Sequence, residues 1–475
     1  MRLNQLIVAI LFLVGLNVHA QNKQFLYGLA EVPQSLIINP ATEVDFKWYS
    51  GVPVLSGIYA QIGSSALAVG DIFGVDGVDF NDKFREQVIN GLSNRDEFSG
   101  TQQIEFINIG FRSKDPSVFY SMGMYLETDF IQYWPKDYGL LAFEGNVDRL
   151  NQEFNLGDLN TRIEATNVFH LGVNKRVNRK LTIGARGKIY SGILNVNSTR
   201  NKGFFVTREG QNNRFSNTID VDLKWRTSGL NELRIAERNG SLAKTIVKRG
   251  LLGGDLGLGV DFGFTYRFND QIAFSASVLD VGFIYHSNDT KNYTLNGTTT
   301  VEGIEVIFPE TLFNSNRNFW QNLVDEIEEL VPFEENDNNY ITFRPIKLNA
   351  SLSYGFGKQL KNHGEDNCDC NILSIANTVY PRYLNSLGAQ LYVINRPLGP
   401  QAALTAFYLK RLGRTLSIKS TYTVNKYSFA NIGLGATFQS GPVNFYLMAD
   451  NLFAYQNLAN AQYASLQLGL NIISW

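Results

Sequence analysis

The sequence is poor in the residues that build most catalytic and metal centres. Its 475 residues include two cysteines and four histidines, and no HExxH, P-loop or GxSxG pattern occurs. No catalytic residue, metal or cofactor is implied, and the chain is not expected to be an enzyme. Charge of one sign is missing as well. The 42 basic residues face 44 acidic ones, a net charge of −2, which gives no footprint for nucleic acid. Long hydrophobic runs are absent after residue 20. None approaches the roughly 18 to 20 residues of a membrane helix, which excludes a helical membrane protein.

What remains is aromatic and glycine-rich, with 33 Phe, 22 Tyr and 42 Gly. The opening MRLNQLIVAILFLVGLNVHAQ combines Arg2, an apolar run from Leu6 to Leu16 and the small-residue pattern Val18-His19-Ala20. Residues 1–20 therefore read as a cleavable signal peptide, and the absence of a cysteine after Ala20 argues against a lipid anchor. An exported chain without a spanning helix is either soluble or a closed barrel, because lipid tolerates no unpaired backbone.

Residues 256–268, LGLGVDFGFTYRF, bear on that choice. Leu256, Leu258, Val260, Phe262, Phe264, Tyr266 and Phe268 alternate with Gly257, Gly259, Asp261, Gly263, Thr265 and Arg267. Period two means a strand with one apolar face. The pattern returns at 346–356, 416–423, 432–438, 443–450 and 465–472. Several stretches are longer than the usual five or six residues of a soluble sandwich strand, and about ten tilted residues span a bilayer. The expected fold is all-β, a transmembrane antiparallel barrel whose apolar face meets lipid.

With the C-terminus periplasmic, fourteen strands are predicted: 50–66, 102–112, 117–131, 161–175, 179–196, 256–268, 271–286, 341–357, 383–394, 399–411, 414–424, 428–439, 442–450 and 462–475. Short turns then fall on the periplasmic side and the long connections 67–101, 132–160, 197–255 and 287–340 fall outside, as outer-membrane barrels require. GFFVTREG and NTIDVDLKW, within 201–226, fit either an external hairpin or an extra barrel pair, so sixteen strands is the alternative. Two external loops carry short helices. Phe319, Leu323, Ile327 and Leu330 recur at helical spacing before Pro332, and NDKFREQVINGL (81–92) is the shorter candidate.

The connection 358–382 is the one long periplasmic loop, and it holds Cys368 and Cys370. A disulfide between them, a metal site with His363 and Asp366, and a plain loop role all remain open. The acidic stretch EENDNNY (334–340) lacks the EF-hand pattern and reads as a solvated loop.

Alternation turns Arg112, Glu127, Asp129, His170, Arg186, Lys188, Asp261, Arg267, Lys347, Lys419 and Asp450 toward the lumen. Both signs occur, which points to cross-barrel ion pairs or an internal plug rather than a strongly ion-selective pore. The stretch QFLYGLAEVPQSLIINPATEV (24–44) is too apolar to hang in water, and Pro33 and Pro40 argue against another strand. Residues 21–45 are expected to form a hatch in the periplasmic mouth, with Asn39 bonded to the wall, and residues 46–475 the barrel.

PQSLIINPAT, with Asn39-Pro40-Ala41, resembles the start of many Bacteroidota barrels, including PorP/SprF-like and PorV-like proteins. In architecture these are related to long-chain fatty-acid transporter barrels. CDC, LNSLGAQLYVINRP, LTAFYLKR, LSIKSTYTVNKYSFANIGLGATF and FYLMADNLFAYQNLANA resemble an uncharacterised subgroup of them. The resemblance implies a barrel in the outer membrane of a Gram-negative-type envelope, surrounded by its lipid. It implies either hatch-gated transport of small or apolar solutes, or a non-enzymatic, type IX secretion-associated barrel with protein partners at its loops or flank. Asn39, Pro40 and Ala41 carry over as a hatch element.

Overall fold

The computed structural model describes residues 24–74, 76–146, 148–210, 215–302, 331–360, 380, 382–427 and 431–475. Fourteen antiparallel strands close into a barrel. They are β1 (Trp48–Gly51, continued by Ile58–Ser64), β2 (Glu97–Arg112), β3 (Val118–Tyr133), β4 (Thr161–Arg176) and β5 (Leu181–Glu209). β6 (Asp255–Arg267), β7 (Ile272–His286), β8 (Tyr340–Phe343, continued by Lys347–Leu360), β9 (Arg382–Arg396) and β10 (Gly399–Leu412) follow. The wall ends with β11 (Leu416–Val424), β12 (Asn431–Ser440), β13 (Val443–Asp450) and β14 (Tyr463–Ser474). Both pieces of β1 pair with β14, which closes the ring and leaves no wall edge.

The pleat obeys the alternation. In β6 Phe262 is 53 % exposed on the outer face, whereas its neighbour Asp261 is fully buried in the lumen. Leu434, Phe445, Leu447 and Leu466 continue the outer apolar belt around the opposite wall. Tight turns close the periplasmic ends, and Gly413 (φ 75°) and Gly441 (φ 54°) occupy the left-handed conformations two of them need.

The stretch within 201–226 adds no barrel pair, so fourteen holds and sixteen does not. β5 runs 29 residues and changes partner on the way. Residues 181–192 pair with β6, while 195–209 pair with an extramural strand, Phe215–Ser228. That strand pairs with Thr290–Glu302, which in turn pairs with Phe333–Asn336. Ile219, Val221 and Phe205 of this sheet pack against Ile89, Leu140 and Leu141 of the external loops.

The shorter predicted helix is present as Phe80–Lys83 running into a π-helical turn, Phe84–Asn90. The other, within 319–330, and the cysteine loop with His363, Asp366, Cys368 and Cys370 lie outside the described residues. Four loop helices were not anticipated: Val69–Phe73, Lys136–Glu144, Leu230–Arg238 and Leu242–Lys248. Their loops mix charge and glycine, which hides the helical period.

Candidate functional site

Residues 24–46 lie inside the barrel. They form a 3₁₀ turn (Gln24–Leu26), a helical turn (Ser35–Ile38) and an extended run that leads into β1. Phe25, Leu26, Tyr27, Leu29, Val32 and Ile38 pack on Leu409, Tyr446 and Met448 of β10 and β13. Leu36, Val44 and Phe46 pack on Tyr49, Phe119 and Ile473. Enclosing these groups removes apolar area at about 25 cal/mol per Å², a gain of several kcal/mol before chain entropy.

The wall grips the segment mainly through its carbonyls. Asn174 donates to Pro40 O (2.8 Å) and Thr42 O (2.9 Å), Thr265 to Ala41 O (2.9 Å), and Ser277 to Ile38 O (2.7 Å). Arg186 donates to Leu36 O and Ile37 O at the end of the helical turn, where carbonyls lack partners. Lys419 donates to Phe25 O (3.0 Å) and Tyr27 O (2.7 Å), and Arg112 to Val44 O (2.5 Å). Three ion pairs add charge: Arg411–Glu31, Arg267–Glu43 and Arg382–Asp45. Burial alone would raise the Glu31 pKa, but Arg411 and Arg382 outweigh it and hold the carboxyl down at about 2. For Glu43, burial prevails over Arg267 and pushes the carboxyl up.

Asn39 was expected to bond the wall, and it does not. Its Oδ1 accepts from the backbone N–H of Ala41 (2.9 Å), and its amide donates to Tyr27 Oη (3.4 Å), so it braces the segment's own turn. The wall meets this turn with bare backbone. A Cβ on Gly263 would lie 2.1 Å from Asn39 Oδ1, and one on Gly184 would lie 2.2 Å from Pro40. Both positions face the lumen, where any side chain would expel the turn.

Above the segment a chain of ion pairs crosses the lumen. Lys188 meets Asp261 (2.9 Å) and Asp280 (2.6 Å), and Arg186 also meets Asp261 (3.1 Å). Lys347 joins Asp280 (2.9 Å) to Glu127 (2.7 Å), and Arg344 joins Glu127 (3.4 Å) to Glu164 (2.6 Å). Arg396 grips Asp129, while nearer the external end Glu97 accepts from Gln401, Lys426 and Tyr427. Such pairs fix geometry more than they add stability.

Of the eleven residues assigned to the lumen by alternation, Arg112, Arg186, Arg267 and Lys419 hold the N-terminal segment, and Glu127, Asp129, Lys188, Asp261 and Lys347 form the crossing pairs. The remaining two stand apart. His170 is buried beside Tyr125 (5.8 Å between rings), and Asp450 accepts from Ser465 Oγ (2.9 Å). Alternation missed Asp280 and Arg344. Asp280 has φ 60° at a bulge between Val278 and Val281, and Arg344 precedes Pro345 at the break in β8, so both sit out of phase with their strands. Glu164 shares the phase of His170 and was legible. Among the described residues no group of His, Cys, Asp or Glu could hold a metal ion.

The outer wall has a second feature. A concavity of 1010 Å³ opens on the membrane face across β2 to β7, lined by Ile107, Met124, Leu171, Ile189, Leu258 and Phe283 among others. Behind it the lumen-facing positions include Gly123, Gly259 and Gly282, so the wall thins to backbone. The bulges at Glu105/Ile107 and Val278/Val281 flank it.

Solved structures similar to the chain are outer-membrane barrels. The Pseudomonas putida toluene transporter TodX is 10% identical, with 93% of this chain and 92% of that one covered and a TM-score of 0.36. A Pseudomonas aeruginosa FadL homologue is 9% identical over 93% and 94%, with a TM-score of 0.39. A Rhodopseudomonas blastica porin triple mutant is 8% identical over 90% and 100%, with a TM-score of 0.25. No curated protein matches the sequence. The model of one family covers residues 40–450, from Pro40 of the buried turn to the end of β13, and the chain accordingly belongs to that family of unknown function, DUF5723.

Proposed function

We propose that the chain is an outer-membrane barrel that passes small or apolar solutes, with residues 21–45 as its hatch. The observation that carries this reading is how the N-terminal segment is held. The ring of β1 to β14 closes without it, and the wall grips it through side-chain hydrogen bonds and ion pairs that water can replace one by one. The apolar concavity over a thinned wall supports an apolar solute, because such a molecule partitions into the membrane beside it.

A partner-binding barrel of the type IX secretion kind is the second reading, and the ion pairs that block the mid-lumen favour it. Conductance decides between them. Planar bilayers containing a variant that lacks residues 22–42 are compared with wild type, folding being verified by the heat-dependent gel shift of closed barrels. A several-fold rise in single-channel conductance is expected. A folded deletion variant with unchanged conductance overturns the hatch and leaves the scaffold reading ahead.

A further inference from the structure

The wall has a seam where β5 changes partner. Ser228 ends the extramural strand opposite Asn195, and Asp255 begins β6 opposite Gly192. The 26 residues between them leave the wall here, and their contacts show on which side. In the pleat Ser191 pairs with Asn167 on β4 and with Leu256 on β6, and Leu256 is exposed on the outer face. Ser191 Oγ donates to Arg249 O (2.6 Å) and accepts from Leu252 N–H (3.1 Å), and Asn167 Nδ2 donates to Gly250 O (2.8 Å). The excursion therefore lies against the outside of the barrel.

Arg249 plugs the seam. It is fully buried, donates from Nε to Ile193 O (2.8 Å) and meets Glu232 (2.8 Å). The helices Leu230–Arg238 and Leu242–Lys248 then present Leu230, Ile235, Leu242 and Val247 as exposed apolar groups, and the turn that follows them (Arg249–Gly253) adds Leu251 and Leu252. Arg234, Arg238 and Lys244 are exposed among them. No ion pair joins these three to any described residue, whereas Lys248 pairs with Glu232 (3.2 Å).

Height supplies the environment. β6 rises 13 residues from its periplasmic turn to Asp255. With strand tilt that is roughly 30 Å, the thickness of the hydrocarbon core. The helices sit at the external lipid–water boundary, directly above the concavity, since Leu256 and Ser191 adjoin its lining residues Leu258 and Ile189. Apolar groups with interspersed cations at that level suit an interfacial element.

We propose that the excursion 229–254 binds a phosphorylated lipid of the external leaflet, its phosphate beside Arg234, Arg238 and Lys244 and an acyl chain in the concavity. The phosphate contacts are separate from the hatch, while the acyl chain shares the concavity with the proposed solute route.

The experiment has two arms, neither of which reads conductance. Barrel purified with lipid A, or with lipid A stripped of its phosphates, is examined by native mass spectrometry, together with the variant R234Q/R238Q/K244Q. Wild type is expected to retain the phosphorylated form about tenfold more often, and the variant is expected to lose that preference. In vesicles, Val247→Trp is expected to add emission that brominated acyl chains quench. Equal retention of the two lipids, a preference unchanged in the variant, or added indole emission that the brominated chains leave unquenched each overturns the proposal. So does burial of these helices in a dimer, seen as a doubled mass without bound lipid.

Discussion

The two arcs of the wall are built differently. From β9 to β14 the strands run 8 to 15 residues and keep a clean period of two, with no register shift between successive strands. From β2 to β8 they run as long as 29 residues, shift register at Glu105/Ile107, Ala165/Thr166, Ser198/Arg200 and Val278/Val281, and carry the extramural sheet. Most of the crossing ion pairs, the outer concavity and the helical excursion belong to this arc. The even arc does the work of a wall. Features that point to function gather where the alternation breaks.

Breaking one buried pair tests that contrast most severely. Asp261→Ala leaves Arg186 and Lys188 with less compensation in the lumen, and is expected to cost about 3–5 kcal/mol. Thr423→Ala, which removes a neutral hydroxyl bonded to Thr405 in the even arc, is expected to cost about 1 kcal/mol. Urea unfolding midpoints in phospholipid vesicles compare the two. Similar losses would erase the distinction between the arcs.

The lipid belt is expected to be indifferent to it. Phe262→Arg and Leu434→Arg, one in each arc and both well inside the hydrocarbon, should each lose about 2–4 kcal/mol in the same titration. A loss near zero at Phe262 would take that position out of the hydrocarbon.

Gly184→Val puts a side chain where Pro40 now lies, so the turn moves or the wall strains by about 1–3 kcal/mol. Protease cleavage between residues 24 and 46 should accelerate, while the same substitution at Gly187, where a Cβ meets open space, should leave it unchanged.

The smallest expected effect is that of mild acid. The depressed Glu31 carboxyl adds stability that is present above its unfolded value of about 4.3 and lost only as pH falls through about 2. Glu43, shifted upward, contributes with the opposite sign, its stabilisation growing as pH falls through its folded value. Cleavage of the segment should therefore be no faster at pH 4 than at pH 7. Acceleration at pH 4 would show that the Arg411 contact does not hold Glu31.

The barrel was legible because lipid enforces period two on every spanning strand, and Phe262 against Asp261 is the plainest instance. The apolar N-terminal stretch stood out for the same reason, having no lipid belt of its own to join. Less was legible where geometry interrupts the period. The bulge at Asp280 and the break at Pro345 each shift the phase by a residue, which hides two central charges. Glu31, Glu43 and Asp45 were opaque for another reason. Their partners Arg411, Arg267 and Arg382 lie hundreds of residues away, and only the closed ring brings them within reach. The role of Asn39 as an internal brace depended on a glycine opposite, which no local pattern announces.

The buried segment also bears on how the ring comes to close. Joining β1 to β14 brings residues more than 400 positions apart into register, and the entropy of so long a loop opposes it. Residues 25–31 are bound by β10, β11 and β13, and residues 36–43 by β4 to β7, while β1 follows immediately. A chain whose leading end has already docked on both arcs carries its first strand to the last one. The segment then acts as a tether during assembly, and a ring that closed without it would have to find its own register.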